Sequence, residues 1–289
     1  MRWRIGRRST NIEDRRGRGP ARLPRGAKLG GGAGILVLLA VLFLGQDLGQ
    51  ILSMLGAAPG PEVSTPQVPT RTPGQQPDAA ADFVSVVLAD TEDTWESLFA
   101  SQGERYNPPK MVLYEGMVQS ACGFNSAAAG PFYCPGDDKV YLDLGFLREL
   151  QRMGASGDFA VAYVIAHEIG HHVQNLVGTS KKVRELQSRV GRGDANALSV
   201  LAELQADCYA GVWAYHAHQQ RNILEQGDVE EGINAAAAVG DDRLMKMAGR
   251  GVHPESFTHG SSKQRMHWFQ TGLQSGRLDT CNTFAQASR

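Results

Sequence analysis

The stretch that most constrains this chain runs from Asp158 to Val177 and carries His167-Glu168-Ile169-Gly170-His171-His172 inside it. From Phe159 to Ala166 the residues are apolar, with neither Gly nor Pro. Asp158 is a suitable N-cap and Gly178 a suitable stop, so the pattern predicts a helix with H-E-x-x-H in its middle. Side chains four apart share a helix face, which aims the rings of His167 and His171 at one point. Two neutral imidazoles on one helix are half of a tetrahedral zinc site. Glu168 projects beside them, where a carboxylate can take a proton from metal-activated water. The competing reading is a polar stretch of an ordinary helix, and the helical context argues against it.

A catalytic zinc site needs a third protein ligand and an open fourth position. The run from Ser199 to Gly211 has helical periodicity through Val200, Leu201, Leu204 and Tyr209. Glu203 and Asp207 lie four apart on one face of it. Glu203 would complete a His₂Glu set, and Asp207 could accept the second ring N–H of a ligand histidine. Two acids could instead form a solvated face, but small and apolar residues flank them, and a buried acid needs a cation or a proton.

The motifs H-E-I-G-H-H-V-Q (167–174), E-L-Q-A-D-C-Y-A-G (203–211) and F-T-H-G-S-S-K-Q-R (257–265) resemble the bacterial neutral zinc metallopeptidase family. That family is similar to the wider gluzincin group, in which H-E-x-x-H is followed by E-x-x-x-D. The likeness runs from about Val112 to Cys281, through G-P-F-Y-C-P (130–135) and V-Y-L-D-L (140–144). It implies zinc ligands His167, His171 and Glu203, with Glu168 as base. It also implies a zincin-like domain, in which a sheet edge beside the metal pairs with an extended substrate. That role would fall to Val140, Tyr141, Leu142 and Asp143, through β-augmentation; an ordinary interior strand is the alternative.

The amino-terminal part reads differently. Residues 1–28 carry ten Arg and Lys against Glu13 and Asp14, and the rest of the chain is acidic on balance. A basic arm can bind nucleic acid, but its position suggests membrane topology instead. Leu29 to Gly45 is free of charge and dense in Leu and Val, at the lower limit of what crosses a bilayer. The positive flank would stay cytoplasmic. A cleaved signal peptide ending near Leu55-Gly-Ala57 is the rival, with a long n-region and a weak site. Six prolines then punctuate residues 56–77, which cannot bury a core and should form an extended tether.

Within the remaining chain, Ala80 to Phe99 predicts an amphipathic helix, Met111 to Gln119 and Lys139 to Asp143 strands, and Leu144 to Met153 a short helix. The charged stretch Lys181 to Ala195, with Gly191 and Gly193, reads as a mobile loop beside the cleft. Val229 to Val239 predicts a packing helix, and Asp241-Asp242-Arg243 local caps or ion pairs. Ser261 to Gln264 is a capping box opening a last helix. His259 before it, or Arg265 within it, could stabilise a developing oxyanion; an arginine tying an Asp in place is the other reading of Arg265. His172 points about 100° away from its neighbours and reads as packed. Four cysteines in an exported domain favour disulfides. Cys122 and Cys134 enclose a short loop, which leaves Cys208 for Cys281.

The expected whole is an α+β protein, mostly helical. A basic cytoplasmic arm (1–28) and one transmembrane helix (29–55) precede a linker (56–79). The last part, 80–289, is an extracytoplasmic metallopeptidase domain with a small antiparallel sheet. The expected function is zinc-dependent hydrolysis of peptide bonds in a peptide or protein substrate, with no nucleic acid involved and the oligomeric state open. The alternative is a non-catalytic, zinc-stabilised envelope binding module, which leaves Glu168 unexplained.

Overall fold

Met111-Val-Leu-Tyr114 and Val140-Tyr-Leu142 are continuous apolar runs, the pattern of strands covered on both faces. In a computed structural model of the chain, which describes residues 1–17, 78–126 and 130–286, they become neighbours. Strand β1 (Ile12–Asp14), β2 (Lys110–Tyr114), β5 (Phe132–Cys134) and β6 (Lys139–Asp143) form one sheet in the order β1-β2-β6-β5. Between them in sequence, β3 (Met117–Ser120) and β4 (Gly123–Ser126) form a separate antiparallel hairpin.

Three expectations about this region are corrected. Met111 to Gln119 is two strands, broken where Gly116 takes φ +77°, a left-handed conformation that glycine adopts without steric cost. The main sheet is mostly parallel: β1 pairs parallel with β2, β2 parallel with β6, and only β5 runs antiparallel, to β6. Parallel neighbours need a long crossover, and the β3–β4 hairpin with β5 supplies the connection between β2 and β6. Lastly, residues 1–17 belong to the same compact unit as residues 78–286 and are not an arm apart from it. The expected membrane segment (29–55) and tether (56–77) lie outside the described residues. No helix among the described residues is long and apolar enough to cross a membrane.

Helices cover the sheet and carry the rest of the core. They are α1 (Ala79–Ser101), α2 (Phe146–Arg152), α3 (Asp158–Leu176), α4 (Thr179–Gln187), α5 (Arg192–Arg221), α6 (Asp228–Ala238), α7 (Asp241–Met247), α8 (Ser262–Ser275) and α9 (Thr283–Gln286). The stretch 181–195, expected as a mobile loop, is instead α4 and the first turn of α5. Its charges lie on the exposed face of α4, and Val183 alone is buried there. The capping box at Ser261 and Gln264 forms as expected. Asp158 is the first residue of α3 and not its cap; Gly157 precedes it at φ +110°. A Cβ on Gly157 would lie 1.9 Å from the Glu231 carboxyl carbon, and that carboxylate accepts the Phe159 N–H at 3.0 Å.

Two helix crossings place the chemistry. A Cβ on Gly170 would lie 2.9 Å from the Ala206 carbonyl oxygen, so only glycine lets α3 press this closely against α5. A Cβ on Gly272 of α8 would lie 1.9 Å from the Cys208 carbonyl oxygen. Both sandwiched segments of α5 flank Glu203 and Asp207. Cys122–Cys134 and Cys208–Cys281 are both disulfide-bonded, as the sequence predicts.

Candidate active site

The α3–α5 crossing brings His167, His171 and Glu203 together. Nε2 of His167 lies 3.2 Å from one Glu203 carboxylate oxygen, and Nε2 of His171 lies 3.3 Å from the other. One donor atom from each residue fits within 4.8 Å of the others. Two imidazole nitrogens and a carboxylate at this spacing fit a zinc ion with a fourth position left open.

The far nitrogens are fixed as well. Nδ1 of His167 faces Asp207 Oδ1 at 2.8 Å, and Nδ1 of His171 faces Gln174 Oε1 at 2.9 Å. With their Nδ1–H donated there, both rings present Nε2 to the same point. Asp207 has no solvent exposure. It also accepts from Arg265 Nε and Nη2, at 2.8 and 2.9 Å, and from the Tyr163 hydroxyl. Gln174 is held in turn by its Nε2, which donates to the Ala202 carbonyl at 2.7 Å and to Gln205 Oε1 at 3.0 Å.

Electrostatics favour positive charge between the rings. Burial and the Arg265 charge work against a charged His167, yet the Asp207 carboxylate and the Glu203 hydrogen bond together outweigh them and raise the ring's pKa to about 10. Burial also works against the Glu203 carboxylate, but His171 and His167 hold it well below the usual range. Glu168 is different. Burial pushes its carboxyl up, and the two histidines pull it only part of the way back. A carboxylate raised toward neutrality is a better proton acceptor than an ordinary one.

These groups line a cleft of about 1150 Å³, whose walls include Phe132, Tyr133, Asp143, Phe146, Tyr163 and Arg16. His259 is half-exposed in the cleft. Its Nδ1 lies 3.1 Å from Asp241 Oδ1, while Asp241 Oδ2 accepts the N–H groups of Thr258, His259 and Gly260. Arg265 is buried and committed to Asp207, which matches the tying role and not that of a free oxyanion donor.

Val140 and Tyr141 lie between two strands and not at a sheet edge. β6 pairs with β2 along its length and with β5 over Lys139 to Tyr141, so Leu142 and Asp143 have a strand partner on the β2 side alone; all four residues from Val140 to Asp143 are buried. Asp143 ties loops instead, accepting from Gly145 N at 2.6 Å and Gly116 N at 2.8 Å. β5 is the terminal strand, and it is held to α3. The Tyr133 hydroxyl lies 3.2 Å from His172 Nδ1 and accepts from Asn175 Nδ2 at 3.1 Å, while His172 Nε2 lies 2.7 Å from the Asn107 carbonyl oxygen.

Sequence reasoning passed over Gln174, Tyr163 and β5. Gln174 sits three residues after His171, and Tyr163 four before His167, so helix spacing alone puts each beside a ligand.

No solved structure matches the chain. The protein named "Uncharacterized protein YpfJ" of Escherichia coli (strain K12) is 48% identical over 290 residues, covering 99% of this chain and 100% of the relative. "Uncharacterized protein Rv2575" of Mycobacterium tuberculosis (strain ATCC 25618 / H37Rv) is 39% identical over 254 residues, covering 81% of this chain and 85% of that protein. The model of the family described as "Putative neutral zinc metallopeptidase" matches residues 1–284. With that match over nearly its whole length, the chain belongs to the neutral zinc metallopeptidase family.

Proposed function

We propose that the chain is a zinc-dependent peptidase, with His167, His171 and Glu203 as metal ligands and Glu168 as proton acceptor. One observation carries this reading: three donor atoms converge within 4.8 Å on the floor of a cleft, and a buried carboxylate that is not one of them stands beside them. A purely structural metal site has no use for Glu168. Zinc bound there would supply a Lewis acid that brings water's pKa near 7.

The chain's own residues do the rest. Glu168 takes the proton from the attacking water as its oxygen adds to the peptide carbonyl. It then returns the proton to the departing amine. His259, steadied by Asp241, which raises its pKa, donates in its protonated form to the oxygen that becomes negative. Asp207, with Arg265 and Tyr163 packed on it, keeps His167 in the tautomer that offers Nε2. The extended substrate lies along the outer edge of β5, where main-chain hydrogen bonds can pair with it.

Zinc stoichiometry and cleavage of a peptide library, measured on the same variants, test this. His167→Ala, His171→Ala and Glu203→Ala should each lose zinc and activity. Glu168→Gln should keep its zinc while turnover falls by at least about 10²–10⁴-fold, the usual share of general acid–base catalysis. Full activity in Glu168→Gln overturns the mechanism. A wild-type chain that holds one tight zinc and cleaves nothing is instead a zinc-stabilised binding module.

A further inference from the structure

The amino-terminal residues are laced into the domain along their length. Trp3 packs edge-on against Phe83 of α1, with ring centroids 5.2 Å apart. Arg7 reaches Glu92 at 2.9 Å and Asp93 at 2.6 Å, and Arg8 reaches Asp82 at 2.7 Å. Glu92 is buried, and it also accepts from Ser9 Oγ at 2.5 Å and Asn11 Nδ2 at 2.8 Å. β1 then adds to the sheet. The Met111 N–H donates to the Asn11 carbonyl and the Arg15 N–H to the Leu113 carbonyl, both at 2.8 Å. Glu13 pairs with Lys139 of β6 at 3.0 Å. Arg16 forms part of the cleft wall and pairs with Asp78.

Arg16 and Asp78, near the ends of the two described segments, are paired with one another. Two strands joined by hydrogen bonds lie about 4.8 Å apart, whereas a bilayer's hydrocarbon core is about 30 Å thick. Strands paired in this way cannot stand on opposite faces of a membrane. The expected topology, a cytoplasmic amino terminus and an extracytoplasmic domain separated by one crossing, therefore conflicts with the sheet.

We infer that residues 1–17 and the active-site cleft lie in one compartment, on the same side of any membrane the protein meets. The arginines of the amino-terminal segment then serve as ion-pair partners for α1 and as part of the cleft wall, and do not mark a cytoplasmic side. This conclusion rests on strand pairing and does not depend on the proposed peptidase activity.

Thiol accessibility tests it on the full-length chain in cells. The four native cysteines are paired, so an added one is the only free thiol. Ile5→Cys reports on the amino-terminal segment and Met247→Cys on the domain; these side chains are 92% and 57% exposed, so neither substitution removes a buried contact. Intact cells with a permeabilised outer envelope are treated with a membrane-impermeant maleimide, and a lysed sample gives the full extent of labelling. Both thiols should behave alike, reacting together before lysis or together only after it. Labelling of one in intact cells while the other reacts only after lysis would overturn the inference.

Discussion

At the scale of single residues, each ring of the H-E-x-x-H pair has an oxygen partner at Nδ1, Asp207 for His167 and Gln174 for His171. The H-E-x-x-H spacing was legible because helix geometry alone decides which side chains meet. For Arg265 the sequence left two readings open, because its partner Asp207 lies 58 positions away in sequence and only the α5–α8 crossing joins them. His259 is the residue whose charge state matters most to the proposed chemistry. Donating a hydrogen bond to the Asp241 carboxylate raises its pKa above the ordinary value, burial opposes that rise, and the nearby Glu203 charge adds to it against Arg265. A raised pKa keeps the ring protonated to higher pH, so its contribution persists above pH 6.5 and is lost as pH climbs through the raised value. Asp241→Asn should lower the His259 pKa, read by NMR, and move the alkaline limb of kcat/KM to lower pH. His259→Ala should cost about 10²–10³-fold in kcat, as for other oxyanion donors, and leave no such limb to move. An alkaline limb unchanged in both variants would remove His259 from the mechanism.

At the scale of elements, the long helices were readable and the shortest strands were not. α3 and α5 announce themselves by period. β5 is only Phe-Tyr-Cys, and β1 is Ile-Glu-Asp within an arginine-rich stretch; three residues are too few to show a period of two. Their partners make them strands: β6 and α3 for β5, β2 and α1 for β1. The substrate edge was consequently assigned to β6, the strand with the clearer pattern. On the proposed reading, holding β5 against α3 would set the distance between a strand-bound substrate and the metal donors, and Tyr133 is the link. Its hydroxyl donates to Asp138 at 2.7 Å, besides meeting His172 and Asn175. Tyr133→Phe removes these bonds without changing the ring's volume. About 1–2 kcal/mol of positioning should be lost, so KM for peptides long enough to pair with β5 should rise about 5–30-fold. Zinc content should stay at the wild-type level, and short substrates should be cleaved as before. Equal effects on long and short peptides would show that β5 is not the substrate strand.

For the molecule as a whole, the disulfides divide the labour. Cys122–Cys134 braces the β3–β4 hairpin against β5, while Cys208–Cys281 fastens the helix bearing Glu203 and Asp207 to the carboxy-terminal segment. The second bridge also connects to the metal donors through a relay of amides. The Cys281 carbonyl accepts from Gln205 Nε2 at 3.1 Å, Gln205 Oε1 from Gln174 Nε2 at 3.0 Å, and Gln174 Oε1 faces His171 Nδ1 at 2.9 Å. Closing a loop of 73 residues stabilises the folded chain by about 4 kcal/mol in the chain-entropy account. For a domain of this size that corresponds to about 10 °C in Tm. Cys208→Ser with Cys281→Ser should lower Tm by that order. It should also weaken zinc binding by about 10–100-fold, because Gln174 loses its support and His171 its orientation. Cys122→Ser with Cys134→Ser should spare zinc affinity and raise KM instead, since that bridge touches the substrate edge and not the ligands. Titration of both double variants with a zinc chelator, beside peptide kinetics, separates the two effects. Zinc affinity unchanged in the first pair, despite a lower Tm, would show that the amide relay holds nothing in place.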